Sequence, residues 1–512
     1  MAAFVLVRKD SYHDSVLLMR ISEALKHVAG VEDAVVAMAT PQNRELLGAQ
    51  GYRGPELAAA GPNDLVIALM GDATAPKAVE AALDELLRSE RRDAADEVLP
   101  ATLAAAVKAH PEANLALISL PGEHAAREAR RALALGMHVM IFSDNVAIED
   151  EVALKREAVS RGLLLMGPDC GTAIINGKPL GFANAVRRGP IGVVGAAGTG
   201  LQEVTSCIHR LGGGVSQVIG TGGRDLSEAV GGVMTIFAIE ALAADPETQL
   251  IAVVSKTPSP EVAKKVLGAL GRTPKPCVVH FVGDEPREAD AARGIVFADS
   301  LAGAAELACR LTGVPGYEGR TPAPDGAVVA RLAGRLWPGV KLRGLFCGGT
   351  TAQEALALLT RAGLEIRSNL HKHGELRTDG TRPVAAHVVL DLGDDVFTRG
   401  RPHPMIEPVL RNARLAIEMA DAEVGVLLFD VVLGYGAHPN PAGVLADGVE
   451  QARATAGQRR REIVAIASVT GTPDDPQDSR AQGQKLADAG IIVAPDNRQA
   501  AALAAAVLQR AG

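Results

Sequence analysis

The chain has 512 residues, 47% of them hydrophobic and 22% charged, with a net charge of −8, a composition that indicates a globular protein of several domains. Aromatics make up only 3% and no dense Lys/Arg run occurs, which excludes base stacking and phosphate-backbone binding as a main function and so argues against a nucleic-acid partner. Cys170, Cys207, Cys277, Cys309 and Cys347 stand apart, with neither C-x-x-C nor a zinc-like spacing. The start, MAAFVLVRKDSYHD, lacks a long apolar core and no apolar run is long enough to span a membrane, so a cytoplasmic chain without a membrane partner is expected.

In chain order, AFVLVR (3–8), EDAVVAM (32–38) and DLVIALM (64–70) predict strands, alternating with helical patterns at 14–29, 41–50 and 75–91. This outlines a small N-terminal α/β domain over 1–92, closed by the charged stretch SERRDAADE (89–97). A second series runs through NLALISLP (114–121), a helix at 122–135, GMHVMIFS (136–143), a helix at 149–161 and LLLMGPDC (163–170). A third has strands at 191–195, 215–220, 250–255, 277–282 and 295–298, and the Pro/Gly-rich segment 314–327 reads as a linker. The fourth series contains LRGLFCGG (342–349), a helix at 350–362, VVLDLGDD (388–395), a helix at 404–419, VGVLLFDVVLG (424–434), EIVAIASV (462–469) and IIVAPD (491–496). Strands alternating with helices imply parallel sheets, and nearly continuous apolar strands imply sheets covered on both faces, so the class is α/β throughout.

One echo crosses the chain. IGVVGAAGTGLQEVTS (191–206) contains Gly198-Thr199-Gly200-Leu201-Gln202-Glu203, and the fourth series contains Gly349-Thr350-Thr351-Ala352-Gln353-Glu354. Both are G-T-x-x-Q-E after the first strong strand of a series, which points to a duplicated domain. Thr199 and Thr350 are expected as N-caps, with Gln202 and Gln353 reaching back in capping boxes. Gly198, Thr199, Gly200 and Leu201, and Gly348, Gly349, Thr350 and Thr351, are then candidate phosphate-binding positions at two helix N-termini. A well-capped pair of helices with no ligand is the plainer reading of either copy alone. The glycines at 192, 195, 198 and 200 do not form G-x-G-x-x-G, the next strand ends in glycines instead of an acidic residue, and no Walker A sequence occurs, so neither a dinucleotide nor self-contained ATP hydrolysis is indicated.

From about 101 to 310 the chain resembles the α-subunit of succinyl-CoA synthetase, through NLALISLPGEHAAREARRALALGMHVMIFSDN, LLLMGPDCGTAIING, GPIGVVGAAGTGLQEV, VIGTGGRDLSEAVGG and LIAVVSKTPSPEVAKKVL. Residues 327–500 resemble a diverged C-terminal domain of the β-subunit, and the whole resembles the FdrA family. The resemblance implies a degenerate Rossmann-like, CoA-binding-type domain over 93–168 and two flavodoxin-like domains over 169–313 and 328–512. Departures matter: the region before Asn114 has no strand and Gly-rich loop to hold CoA, RGIVFADSLAGAAEL (293–307) has no histidine to phosphorylate, and no ATP-grasp domain is present. The FdrA family includes the AllF subunit of oxamate carbamoyltransferase. This implies phosphorolysis of oxalurate or a related ureido acid to carbamoyl phosphate, with two companion subunits and a carbamate kinase downstream. An acyl-CoA ligase component, with CoA as ligand, and a non-catalytic scaffold stay open as alternatives; no metal or resident cofactor is expected.

Candidate side chains follow. Asp430 and His438, in FDVVLGYGAHPNPAG (429–443), are candidates for proton handling, and Tyr435 and Gly436 for substrate contact. Asp391, Asp394, Asp395, Arg399, Arg401 and His403 sit at a strand's C-terminal end, where open α/β sheets bind ligands; Asp394, Arg401 and His403 are the candidates chosen from them, against the alternative of a solvated loop. Gly222, Gly223 and Arg224, with Asp225, form a second candidate loop, and Lys256 ends its strand toward the same mouth. His371 and His373 read as surface-loop residues and Cys170 as structural.

Overall fold

The computed structural model describes residues 2–11, 13, 15–40, 43–44, 47–48, 51–95, 100, 102–284, 293–314, 323–398, 402–458 and 462–512. They fall into two compact units, Met1–His110 and Pro111–Gly512. Among the described residues no helix is long and apolar enough to cross a membrane.

In the first unit, β1 (Ala2–Arg8), β2 (Val31–Met38) and β3 (Leu65–Gly71) form a sheet in the order β1-β3-β2, with both pairs antiparallel. Alternation places Ala34, Val36 and Met38 of β2 inward, against Leu18, Ile21 and Leu25 of one helix and Val79 and Leu83 of another. The helix between β1 and β2 leaves these strands parallel, but β3 inserts between them and opposes both. The small N-terminal α/β domain is thus present and its sheet is antiparallel, a pairing the sequence pattern does not specify because periodicity finds elements and not their spatial order. The helical pattern at 41–50 lies mostly outside the described residues.

The second unit begins with a three-stranded parallel layer, β4 (Leu115–Ile118), β5 (His138–Ile141) and β6 (Leu165–Met166), in sequence order. Its helix Ile148–Ser160 is bolted to the next layer by Lys155. The fully buried Lys155 ammonium donates to Glu151, to the Thr221 carbonyl and to Asp225, each at 2.8 Å.

The next sheet has β7 (Thr172–Ile175), β8 (Lys178–Gly181), β9 (Arg188–Gly195), β10 (Val215–Gly220), β11 (Leu250–Lys256), β12 (Cys277–Val282) and β13 (Ile295–Phe297), ordered β13-β12-β11-β9-β10-β7-β8. β9 to β13 are parallel, whereas β7 and β8 make an antiparallel hairpin at the edge. Its turn is Asn176-Gly177, with φ of 50° and 73°, the left-handed pair that a tight hairpin requires.

The last sheet has β14 (Lys341–Phe346), β15 (Ile366–Ser368), β16 (His387–Asp391), β17 (Val424–Val432), β18 (Val464–Thr470) and β19 (Ile492–Ala494), all parallel, in the order β15-β16-β14-β17-β18-β19. All nine residues of β17 are buried, as a central parallel strand demands. Set the short edge strand β15 aside and β14, β16, β17, β18 and β19 repeat the order of β9 to β13. In each sheet the first strand is central, the second lies on one side and the third to fifth on the other, the flavodoxin-like order. The helix expected at 404–419 starts only at Val409, because Pro404 and Pro408 hold the chain out of the helix before it.

Candidate functional site

The two echo segments open helices Gly198–Arg210 and Gly349–Arg361, after β9 and β14. Their N-termini meet head to head. A Cβ on Gly200 would lie 2.8 Å from Thr350 Cγ2, and one on Gly348 would lie 2.8 Å from Thr199 Cγ2. The Thr350 N–H donates to Thr199 Oγ1 at 3.2 Å. The capping boxes are therefore corrected: the N-cap positions are Ala197 and Gly348, neither with a side-chain cap. The threonines face the opposite helix instead, and the Gln202 amide crosses over to the Leu433 carbonyl at 2.9 Å and the Phe182 carbonyl at 2.6 Å.

The glutamates that close each echo do something the sequence did not suggest. Glu354 accepts the N–H of Leu301, at 2.6 Å, where the final helix of the other sheet begins. Glu203 accepts the N–H of Asn497, at 3.3 Å, at the corresponding helix of its partner sheet. Each half thus caps a helix belonging to the other. Burial raises Glu354 to about 8, outweighing the Asn497 and Leu301 donors, with Glu203 and Asp496 adding repulsion. Between pH 4.5 and about 8 the folded chain retains a proton that the unfolded chain has released, so stability falls as pH rises through that window. Glu354→Gln is expected to flatten this slope, read as the difference between urea midpoints at about pH 5.5 and about pH 8. An equal difference in the variant would assign the slope to other groups.

The two helix ends differ in how their amides are used. At the Gly349 end, Asp430, fully buried, accepts the N–H of Cys347 at 2.7 Å, the N–H of Gly348 at 2.9 Å and the Thr351 hydroxyl at 2.7 Å. Asp391 leans against Gly349, one carboxylate oxygen 2.5 Å from where its Cβ would stand. Two of the protein's own carboxylates occupy the place of an anion there. In the other sheet the chain positions matching Asp391 and Asp430 are Gly220 and Val254, both uncharged. The Gly198 end instead faces Thr172, whose Oγ1 would be 3.8 Å from a Cβ on Gly198. Thr172 is 2% exposed and its hydroxyl has no hydrogen-bond partner, an arrangement that buried polar groups avoid unless something else satisfies them. Of the candidate phosphate positions, Gly198, Thr199 and Gly200 stand at the helix end without an internal carboxylate; Leu201 turns its N–H to the Ala197 carbonyl and its side chain to the core.

The remaining candidates separate. Asp430 accepts from three donors beside Arg411, so its carboxylate is taken up by the fold. His438 closes its own loop: its Nδ1 accepts the Asn440 N–H at 3.0 Å and its N–H donates to the Met405 carbonyl at 2.8 Å. Asp394 caps the turn Asp395–Thr398 by accepting the Val396 N–H. Gly434, Tyr435 and Gly436 dock on the β7–β8 hairpin, with the Tyr435 N–H on the Ala183 carbonyl. Tyr435 borders a groove of about 250 Å³ shared with Asn184, Arg187 and Asp474. Gly222 packs against the Pro168 carbonyl, Gly223 lies beside Asp169, and Arg224 pairs with Glu151 at 2.8 Å. Arg399 and Arg401 lie outside the described residues. His403 stacks near Phe182, centroids 6.2 Å apart, and burial lowers it to about 4. Its Nε2 and an Asp391 oxygen both flank Gly393. His371 donates from Nε2 to the Ile366 carbonyl, and burial pushes Cys170 up to about 12, far from a reactive thiolate. Among the described residues no His, Cys, Asp and Glu group could hold a metal ion.

The second unit thus holds a duplicated flavodoxin-like core whose two first helices abut, a fold of the CoA-ligase-like kind by the families that its parts match. In agreement, residues 345–507 match the CoA-ligase family, 186–283 the CoA binding domain, and 1–101 the AllF heavy metal-associated domain. The CoA-binding match falls on the β9–β12 region; residues 93–168, for which that type of domain was expected, lie outside it. No cysteine precedes Cys170, so the N-terminal unit has no thiolate with which to bind a heavy metal. The chain is 44% identical over 508 residues, 98% of each chain, to the uncharacterized protein YahF of Escherichia coli K12. It is 29% identical over 180 residues to the α-2 subunit of the mitochondrial ADP-forming succinate–CoA ligase of Trichomonas vaginalis, spanning 57% of that subunit. A dinucleotide-forming acetyl-CoA synthetase of Ca. Korarchaeum cryptofilum shares 17% identity, with 78% of this chain and 83% of that one covered at a TM-score of 0.32. The chain belongs to the FdrA family.

Proposed function

We propose that this chain is an acyl-phosphate-handling subunit of a carbamoyl-transferring enzyme, with the phosphate at the N-terminus of helix Gly198–Arg210 and the Thr172 hydroxyl. The observation that carries this reading is the buried, unpartnered Thr172 hydroxyl beside a helix end that no internal carboxylate neutralises. Helix-end amides aimed at a phosphate stabilise it without reorganisation. Phosphate attacks the carbamoyl carbon of a ureido acid such as oxalurate, the bond from that carbon to the amide nitrogen breaks, and the leaving nitrogen takes a proton; carbamoyl phosphate and oxamate result. Two companion subunits complete the enzyme, and a carbamate kinase consumes the product. Membership of the FdrA family and the lack of a histidine in 293–307 support carbamoyl transfer over a phosphohistidine shuttle.

A second reading, a component of an acid–CoA ligase, is favoured by the CoA-ligase and CoA-binding matches. Equilibrium binding to the full chain separates the two. Inorganic phosphate is expected to bind, and Thr172→Val to weaken it about tenfold, the scale of one lost hydrogen bond to a charged group. With the companions present, oxalurate should yield carbamoyl phosphate only when phosphate is supplied. Tight CoA binding with an ATP-labelled phosphoprotein, and no phosphate-dependent turnover, would replace the first reading by the second.

A further inference from the structure

Three rings gather in a chain that has few aromatics. Phe142 follows β5, Phe182 follows β8 and His403 lies between β16 and β17. The Phe142 and Phe182 centroids are 5.2 Å apart, and those of Phe182 and His403 6.2 Å. His403 Nδ1 accepts the Met405 N–H at 3.2 Å. Burial keeps the imidazole neutral, so its one proton sits on Nε2, which makes no hydrogen bond among the described residues. That nitrogen, the Cys347 carbonyl oxygen and an Asp391 carboxylate oxygen lie 2.5, 3.0 and 3.1 Å from the place a Cβ of Gly393 would take. The Cys347 carbonyl accepts no N–H among the described residues, and the Asp391 oxygen takes the Gly393 N–H at 2.9 Å. Glycine at 393 thus leaves a free donor standing beside two acceptors.

Contacts tie this spot to the Gly198 helix end from both sides. On one side Gly348, next to Cys347, packs on Thr199, whose Cβ is 2.9 Å from where a Cβ on Gly348 would stand. On the other, the Phe182 ring comes within 3.4 Å of a Cβ placed on Gly171, and the next residue, Thr172, faces Gly198 with its unpartnered hydroxyl. The circuit closes through Phe182 back to His403.

We propose that His403 donates from Nε2 to the carbonyl oxygen of the acyl group whose phosphate sits at Gly198 and Thr172, with the Cys347 carbonyl and Asp391 accepting an N–H of that same group. This seat rests on the phosphate reading and adds to it the residues that select the acyl part. An amide or ureido end offers an oxygen beside N–H donors and matches the three groups. A carboxylate end brings acceptors alone, against a carbonyl and a carboxylate. A neutral imidazole can serve such an oxygen as a hydrogen-bond donor without giving up its own proton.

Phosphonoacetamide and phosphonoacetate carry the same phosphonate and differ in ending on a carboxamide or a carboxylate, so they are the probes. Calorimetry on the full chain should show phosphonoacetamide binding at least about tenfold more tightly than phosphonoacetate. His403→Phe keeps a ring against Phe182 and removes the N–H, and should lower phosphonoacetamide affinity at least about tenfold. His403→Gln, which returns an N–H on a chain of similar reach, should restore part of it. Affinity for inorganic phosphate should change less than about twofold in both variants, which also reports that they are folded. Equal affinity for the two phosphonates, or unchanged phosphonoacetamide binding in His403→Phe, overturns the seat and leaves the phosphate reading standing as long as phosphate binds. A wild type that binds neither phosphate nor phosphonoacetamide overturns the phosphate reading and the seat with it.

Discussion

Asp430→Asn is expected to lower the unfolding free energy by about 3 kcal/mol, because it breaks a buried network and leaves a guanidinium without its counter-charge. The carboxylate accepts two backbone N–H groups and one hydroxyl, and Arg411 lies 3.6 Å away with its own donor on the Asp430 carbonyl. An amide can replace only one accepting oxygen, so either Cys347 or Gly348 loses its partner in a dry interior. Burial pushes the Asp430 carboxyl up against the pull of Arg411 and these donors, and the variant removes that tension only by losing the bonds. Urea unfolding measures the loss directly. A variant as stable as the wild type but without turnover would return Asp430 to the chemistry.

Gly200→Val should be as costly by a different route. The new side chain would start 2.8 Å from Thr350 Cγ2 and 3.2 Å from Ala197 Cβ, where the two echo helices meet end to end. Overpacking of this kind costs about 3 kcal/mol when backbone on both sides resists movement. Thr350→Ala removes the methyl that is met first, so the double variant should recover a large part of the loss, and the two changes should be far from additive. Additive losses in urea unfolding would mean that Gly200 is needed for a reason other than this contact.

Most strands were legible because they are long apolar runs, and the echo placed the two helices correctly at the heads of duplicated sheets. What could not be read was who satisfies whom. Thr199 and Thr350 carry the residue types of a helix cap, and a local rule assigns them to it, but their partners lie 151 positions apart in the chain. The donors to Asp430 were hidden in the same way, since they are about eighty residues away and invisible to spacing. The β7–β8 hairpin was readable in principle from Asn176-Gly177 and went unread beside the stronger parallel pattern. Thr172 offered no signal at all, because an unpaired hydroxyl exists only once the surroundings are built.

The exchange of helix caps by Glu203 and Glu354 bears on how such a chain comes to exist. Each half carries a tool that is useless to itself and complete only in the other's hands, so neither is a self-sufficient domain in the ordinary sense. The arrangement is that of two subunits of a dimer written into one polypeptide, with the tether keeping their local concentration high and their ratio at one to one. Once fused, the halves were free to become unequal: one end kept its amides open, and the other filled them with carboxylates of its own.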